Sequence, residues 1–223
     1  MRDTLSARRG FTLTEALVVL AILGIALAIG IPSLNHYLVR SRLIGTVRDV
    51  ELTCATARLK AVNGRSQAVV VFHAAGAGDE FATSPFAGRN TVVAFLDRNP
   101  ANDADSNNGN GRWDPASSEP IITSYSVRSG ITFKAPGGGA AVTNGTWQLG
   151  GVTTNDRVVY TATGSLAANT SGADPAVCFG DNPGNFIRLR FNHISGQTSR
   201  EKNVPGTSQW LGDVVRGRWA WVY

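Results

Sequence analysis

The chain has few of the residues on which most enzyme and metal sites depend. Its 223 residues include 2 cysteines and 3 histidines, and 17% of them are charged. Two cysteines are too few for a zinc site without other ligands. The sequence contains no P-loop, no H-E-x-x-H and no G-x-S-x-G motif. It therefore gives no indication of an enzyme, of a small-molecule substrate or of a required cofactor.

Acidic residues are slightly outnumbered, and the net charge is +5. This mild basicity does not by itself require a nucleic-acid partner. The chain has 25 glycines, and Gly, Asn, Ser and Thr are dense after residue 64. That composition favours turns and β-structure over a helical bundle.

One long apolar run stands out near the N-terminus. This run, residues 11–34, contains 24 residues. As a helix with a rise of about 1.5 Å per residue, it is long enough to cross a hydrocarbon core of about 30 Å. No A-x-A cleavage site follows the run, so we expect it to remain as a transmembrane helix and not to be removed as a secretory signal. Glu15 lies just inside its start, where an unpaired carboxylate is costly.

The segment "RRGFTLTEALVVLAILGIALAIGIP" resembles the leader and first helix of a type IV prepilin. The resemblance implies that a prepilin peptidase cuts between Gly10 and Phe11 and methylates the new N-terminus on Phe11. The acid of that family matches Glu15, and its helix-kinking proline matches Pro32. In the family the acid pairs with the terminal amine of a neighbouring subunit, which makes a buried charge tolerable. The local alternative is a capping box, Thr12-x-x-Glu15.

Beyond the apolar run, small and apolar residues recur every three or four positions and define one helical face. These residues are Val47, Val50, Cys54, Ala57 and Ala61. We therefore predict one long helix over residues 11–63, whose second half lies against a globular domain. The predicted organisation is a leader peptide at 1–10, this helix with 11–34 in the membrane or filament core, and a β-rich extracytoplasmic domain at 64–223.

Short apolar stretches after residue 64 predict strands. They lie at 69–72, 92–95, 121–127, 130–134, 157–162 and 186–191. In the last of these, apolar residues alternate with Arg188 and Arg190, as in a strand with one buried face. The predicted fold class is α+β, with the long helix packed on an antiparallel β-sandwich-like domain.

Two further stretches, residues 57–72 and 94–122, resemble the GspH/FimT branch of minor pilins and pseudopilins. The resemblance implies a subunit of the bacterial inner membrane, crossing it once with its C-terminal domain in the periplasm. It implies assembly with other pilin or pseudopilin subunits into a pilus or pseudopilus, with a role in priming assembly or at the tip. A type II secretion pseudopilin and a plain membrane-tethered domain remain alternatives.

Aspartate and asparagine cluster between residues 103 and 114. Asp103-x-Asp105-x-Asn107, with Asp114 further on, approximates the oxygen-ligand spacing of a calcium loop. The alternative is a solvated, turn-rich loop in which these side chains accept hydrogen bonds.

Cys54 and Cys178 are the candidates for one disulfide, because the domain is expected outside the cytoplasm. Such a bond would tie late β-structure to the helix. The alternative is two buried free thiols.

The C-terminal third is basic, and its tryptophans Trp219 and Trp221 lie among the arginines. Some members of the GspH/FimT branch bind DNA through C-terminal arginines. The candidate nucleic-acid residues are Arg188, Arg190, Arg216 and Arg218. The alternative is an ordinary solvated strand face, with the tryptophans in the core.

Overall fold

The protein is described from a computed structural model. The structure describes residues 12–76, 81, 84–97, 111–113, 119–139, 141–143, 147–149, 152–154, 156–167, 174–182, 184–204, 206–207 and 209–212. The chain divides into two compact units, Met1–Val39 and Arg40–Tyr223.

The first element is a single long helix, α1 (Leu13–Gly64). It confirms the predicted helix to within two residues at each end, and its backbone continues through position 32. In the first unit its apolar side chains are exposed, for example Leu13 at 80% and Ile29 at 72%. Within the described part of the chain, α1 is the helix that is long and apolar enough to cross a membrane.

In the second unit, α1 buries the face that the sequence predicted. Leu43 and the five residues of the predicted helical face are fully buried. The helix ends in a Schellman arrangement, in which the Ser66 amide donates to the Ala61 carbonyl at 3.2 Å and the Arg65 amide donates to the Val62 carbonyl at 3.3 Å. The left-handed residue of this cap is Arg65 (φ 48°).

The rest of the second unit is antiparallel β-structure, which confirms the predicted α+β class. In chain order the strands are β1 (Gln67–His73), β2 (Thr91–Asp97), β3 (Ile121–Ser126), β4 (Ile131–Phe133), β5 (Val142–Thr143), β6 (Trp147–Leu149), β7 (Val152–Thr154), β8 (Arg157–Tyr160), β9 (Ala176–Asp181), β10 (Phe186–Phe191), β11 (Thr198–Asn203) and β12 (Trp210–Gly212). A single 3-10 turn at Pro136–Gly138 follows β4.

Two sheets enclose the core. One has the order β3-β2-β1-β8, and the other has the order β12-β11-β10-β9-β4, with β5 also paired to β9. A separate two-stranded sheet is formed by β6 and β7.

In the four-stranded sheet, the strands β1, β2 and β8 are buried on both faces. Val70 and Val92 pack with the helix in one apolar cluster, whereas Val69 and Val93 pack in a second cluster with Phe81 on the other face. Because both faces of these strands are buried, β1 and β2 consist of nearly continuous apolar residues and do not alternate between apolar and polar residues.

The larger sheet has one apolar face. Ile187, Leu189 and Phe191 of β10 are fully buried in the cluster that contains the helix, and Arg188 and Arg190 lie on the opposite face, as the alternation predicted. The sequence analysis missed β9 and β11. The first contains a glycine and an aspartate, and the second is polar, "TSREKN", so neither shows a clear apolar pattern.

Candidate functional site

The N-terminus of α1 is closed by a reciprocal pair of side chains. The Thr12 amide donates to Glu15 Oε2 at 3.0 Å, and the Glu15 amide donates to Thr12 Oγ1 at 3.2 Å. The Thr12 hydroxyl also donates to the same carboxylate oxygen at 3.0 Å. This is the capping box that the sequence offered as the local alternative for Glu15.

The capping box determines the position of the Glu15 side chain, the acidic residue in the first turn of α1. Both Thr12 and Glu15 are exposed, so the carboxylate stands at the surface of an apolar helix, within one turn of its first residue. Carboxylates near a helix N-terminus interact favourably with the free amides there. The capping contacts use one oxygen, Oε2, and leave Oε1 available for a cation brought by another molecule.

The processing residues themselves fall outside the described part of the chain. Gly10 and Phe11 are not described, and of Pro32 only the helical backbone is described. The structure therefore places Glu15 and the helix that follows, and it leaves the cleavage position as a prediction.

Residues 5–31 match the family model described as "Prokaryotic N-terminal methylation motif". The chain has a type IV prepilin-like N-terminus. The prepilin-like motif implies processing by prepilin peptidase, methylation of the new terminus and assembly with other pilin subunits. The exposed apolar helix that carries the motif suggests membrane anchoring. No curated protein and no solved structure matches the chain.

The two cysteines do not form the predicted disulfide in this structure. Both are buried free thiols, which is the alternative that the sequence analysis had left open. Cys54 packs in the core cluster with Val177 and Phe179 of β9. Cys178 lies between those two residues, and because side chains alternate along a strand, it points to the opposite face of the sheet. The sheet itself therefore separates the two sulfur atoms.

The candidate nucleic-acid arginines of β10 are already engaged with carboxylates. Arg188 forms an ion pair with Glu201 and lies over the ring of Trp210, at 4.4 Å from its centroid. Arg190 pairs with Asp174 at 3.1 Å and with Glu201 at 3.7 Å. These carboxylates reduce the positive potential of the strand face that the sequence suggested for DNA.

The basic residues of β11 lie on the other face of this sheet. Strand β11 alternates, and it turns Arg200 and Lys202 toward the helix side of the sheet, where Arg200 approaches Glu51 at 3.6 Å. Lys202 is buried, and its burial, together with the charge of Arg40, lowers the pKa of its ammonium group. Arg216 and Arg218 lie outside the described residues.

The sequence analysis missed a cluster of buried charged residues that contacts the backbone of the Asp/Asn-rich segment. We call this cluster the ionic anchor, and its residues come from both sides of the segment in the sequence. Asp97 is fully buried and accepts a hydrogen bond from the Gly111 amide at 2.5 Å. Arg157, also buried, donates to the Gly111 carbonyl and forms an ion pair with Asp156 at 3.0 Å. The sequence "AFLD" at residues 94–97 contained one signal for this anchor, because an aspartate at the end of a buried strand needs a partner.

The calcium candidates lie between these anchor points and cannot be placed. Asp103, Asp105, Asn107 and Asp114 are all outside the described residues. Elsewhere, in the part of the chain that the structure covers, no three His, Cys, Asp or Glu side chains come together as a metal site would require. Calcium binding by this segment remains a prediction.

Proposed function

We propose that the protein is a minor type IV pilin or pseudopilin of the GspH/FimT kind, a structural subunit and not an enzyme. The observation that carries the proposal is the match of residues 5–31 to the N-terminal methylation motif, on a helix whose first unit exposes apolar side chains all round. Such a helix needs an apolar environment on every side.

Two environments meet that need in succession. Before assembly, the hydrocarbon of the inner membrane surrounds the helix. After cleavage between Gly10 and Phe11, the same surface packs against the apolar helices of other subunits. Because lipid and helices are similarly apolar, the transfer is nearly neutral in hydrophobic free energy, and packing and specific polar contacts decide it.

Glu15 supplies such a contact. Its Oε1 is not used by the capping box, and cleavage creates a positive amine on Phe11 of each subunit. A carboxylate and an ammonium that meet in a low-dielectric filament core stabilise each other strongly, and either one alone would be destabilising there. The pair therefore favours subunits that have been processed and that are staggered correctly.

The β-domain lies outside the membrane in this proposal and contacts neighbouring subunits. The location of the labelled protein distinguishes two kinds of assembly. Label on extracellular fibres indicates a surface pilus, and label within the periplasm indicates a short pseudopilus of a secretion system.

The test uses cells that contain the processing enzyme and the assembly machinery. Replacing Glu15 by Val should leave membrane insertion and cleavage intact but remove the subunit from filaments, because the Phe11 amine then has no carboxylate partner. Glu15→Asp, which keeps the charge on a shorter side chain, should restore part of the incorporation. Immunogold labelling of purified filaments measures both. Normal incorporation of Glu15→Val would contradict the proposal.

A further inference from the structure

Arg58 of α1 is a half-buried cation whose charge is not matched by a carboxylate among the described residues. Its Nε donates a 2.8 Å hydrogen bond to the Gly164 carbonyl, which is a neutral acceptor. Within the same part of the chain, its terminal nitrogens therefore remain available as donors. A partly buried charge without a counter-charge is costly, so the site favours an anionic partner from outside the chain. Other arginines of the second unit do form ion pairs with carboxylates, namely Arg128, Arg157, Arg188, Arg190 and Arg200.

Two glycine-containing turns contact the Arg58 side chain. Gly164 and Gly196 both have positive φ angles, 79° and 66°. A Cβ atom at Gly164 would lie 2.9 Å from Val62 Cγ2 and 3.2 Å from Arg58 Nε. A Cβ atom at Gly196 would collide with the Gly164 carbonyl oxygen and lie 3.3 Å from Arg58 Nε. The backbone thus approaches Arg58 as closely as only glycine permits, and a ligand would bind a side chain that is already ordered.

A cavity of about 210 Å³ opens beside Arg58. Cofactors and drug-sized ligands occupy pockets of about 300–1,000 Å³, so this cavity is too small for them. It is several times larger than the roughly 30 Å³ of one water molecule in the liquid, so it admits a polar side chain or a small anion. Because Arg58 alone among the lining residues is charged, the site favours an anion. The other lining residues are Ala55, Tyr160, Gly196, Gln197 and Thr198.

The carboxylate of Glu51 is near this cavity but contacts other groups. Its Oε1 accepts a 3.3 Å hydrogen bond from the Thr198 hydroxyl, and its Oε2 lies 3.6 Å from Arg200 Nε. Glu51 precedes Arg58 by about two helical turns, and in this described part of the helix the two side chains form no ion pair. The positive charge at the cavity is therefore left for another carboxylate.

The helix surface beside the cavity is apolar and exposed. Leu52, Leu59 and Val62 are exposed by 66%, 63% and 42%. They share a helix face with Ala55, which lines the cavity, because they lie three residues before it, four after it and seven after it. We call Leu52, Leu59 and Val62 the apolar rim. A small free anion would neutralise Arg58 but leave the apolar rim in water, whereas a protein segment would cover both.

We propose that the cavity is a carboxylate-binding site, which receives an aspartate or glutamate side chain from a neighbouring subunit of another kind. Apolar residues that flank this acid cover the apolar rim. The planar guanidinium of Arg58 suits a carboxylate, because its two terminal nitrogens can donate parallel hydrogen bonds to the two oxygens. This inference rests on the proposed function, since a neighbouring subunit is present only in an assembly.

Two arguments favour a different subunit over a second copy of this chain. A minor subunit is outnumbered by other subunits in its assembly, so most of its neighbours are different chains. In the described part of the second unit, moreover, the carboxylates are either buried or half-buried with a partner in the same chain, and a second copy would have to break such a pair. The half-buried carboxylates are those of Asp49, Glu51, Asp156, Asp174 and Glu201.

Zero-length cross-linking tests the site in assemblies purified through this chain. Arg58→Lys keeps a positive charge and places a primary amine at the cavity, which a carbodiimide joins as an amide to a carboxylate in contact with it. Native Lys60 is the internal control, because it is exposed and lies about 200° further around the helix. Peptide mapping by mass spectrometry should show an amide from position 58 to an aspartate or glutamate of another subunit, with several-fold less product from Lys60.

Each outcome decides for or against the site. An amide from position 58 to another subunit supports it. An amide to the same chain or to a second copy, equal yields at position 58 and Lys60, or no amide at position 58 would overturn it. The proposed function fails separately: if the wild-type chain purifies with no other pilin-like subunit, that function is contradicted together with this inference. Co-purification without the amide contradicts the carboxylate site alone.

A pair of variants separates the charge of Arg58 from its contact with Gly164. Arg58→Gln removes the charge and should reduce the amount of the chain in assemblies about tenfold or more, because hydrogen bonds between charged groups are the stronger ones. Arg58→Lys keeps the charge but lacks the Nε donor, so it should retain most of the incorporation. Protection of the buried Cys54 thiol from maleimide checks that both variants fold. Equal losses in the two folded variants would show that Arg58 only holds the turn, and would overturn the proposal.

Discussion

Cys54 and Cys178 occupy two different buried environments on opposite faces of the larger sheet. Burial raises the pKa of the Cys54 thiol to about 12, against a hydrogen bond with Tyr160 that acts in the opposite direction. Burial also raises the pKa of Cys178 to about 11, although the charge of Arg188 opposes it. Since the thiolate is the reactive form, both groups should be inert at neutral pH.

Thiol labelling checks this assignment. In the folded protein, neither cysteine should react with a maleimide within minutes at neutral pH, and both should react after unfolding without reductant. The mass increase counts the labelled thiols. A protein that takes up label only after reduction would contain the disulfide instead.

The raised pKa of Cys54 predicts a fall in stability at alkaline pH. The unfolded thiol titrates near pH 9.0 and the folded thiol near pH 12, so between these values the unfolded state loses a proton that the folded state keeps. The contribution of Cys54 to the free energy of unfolding should be fully present below pH 9 and should be lost as the pH rises toward 12. Urea unfolding across this range measures it. Cys54→Ala should reduce the slope, whereas the exposed-site control Ser199→Ala should not; equal slopes would contradict the assignment.

Among the elements, β10 shows how strongly the two faces of one strand differ. Leu189 is fully buried between the helix and the sheet, and the neighbouring side chain of Arg190 is 48% exposed. Leu189→Ala should lower the free energy of unfolding by about 2–5 kcal/mol, because it leaves a cavity in the core. Arg190→Ala, the matched control, should cost about 1 kcal/mol or less. Comparable losses in chemical denaturation would show that the strand does not present these faces.

The elements that the sequence predicted well are those whose own residues carry a clear period. Helix α1 shows an unbroken apolar run followed by a three-four repeat, and β10 shows strict alternation. Strands β9 and β11 lack such a pattern, and their pairing depends on neighbours distant in the sequence. The predicted disulfide failed for the same reason: the face of Cys178 follows from β9, which was not predicted.

In the candidate site, the sequence predicted the contacts within a local motif, but it did not predict the contacts between distant segments. The capping box could be predicted from Thr12 and Glu15 because its partners lie three residues apart. The ion pairs of Arg188 and Arg190 could not, since Glu201 and Asp174 belong to segments that only the sheet brings near. The folded sheet determines which carboxylates pair with these arginines, and the spacing of residues along the chain does not predict those pairs.

On the scale of the whole molecule, the second unit contains the described core. The fully buried helix residues begin at Leu43, and the unit itself begins at Arg40. Residues 40–223, produced without the first 39 residues, should therefore fold in water without detergent. Circular dichroism and a cooperative unfolding transition measure this. Loss of the transition would show that the first unit contributes to the core.

The central claim is that the N-terminus is a prepilin leader that is removed before assembly. Mass spectrometry of the N-terminal peptide, from cells with an active prepilin peptidase, tests it most directly. We predict that residues 1–10 are absent and that the chain begins with a methylated Phe11. A peptide that still begins at Met1, with the peptidase shown to process another substrate in the same cells, would contradict the account.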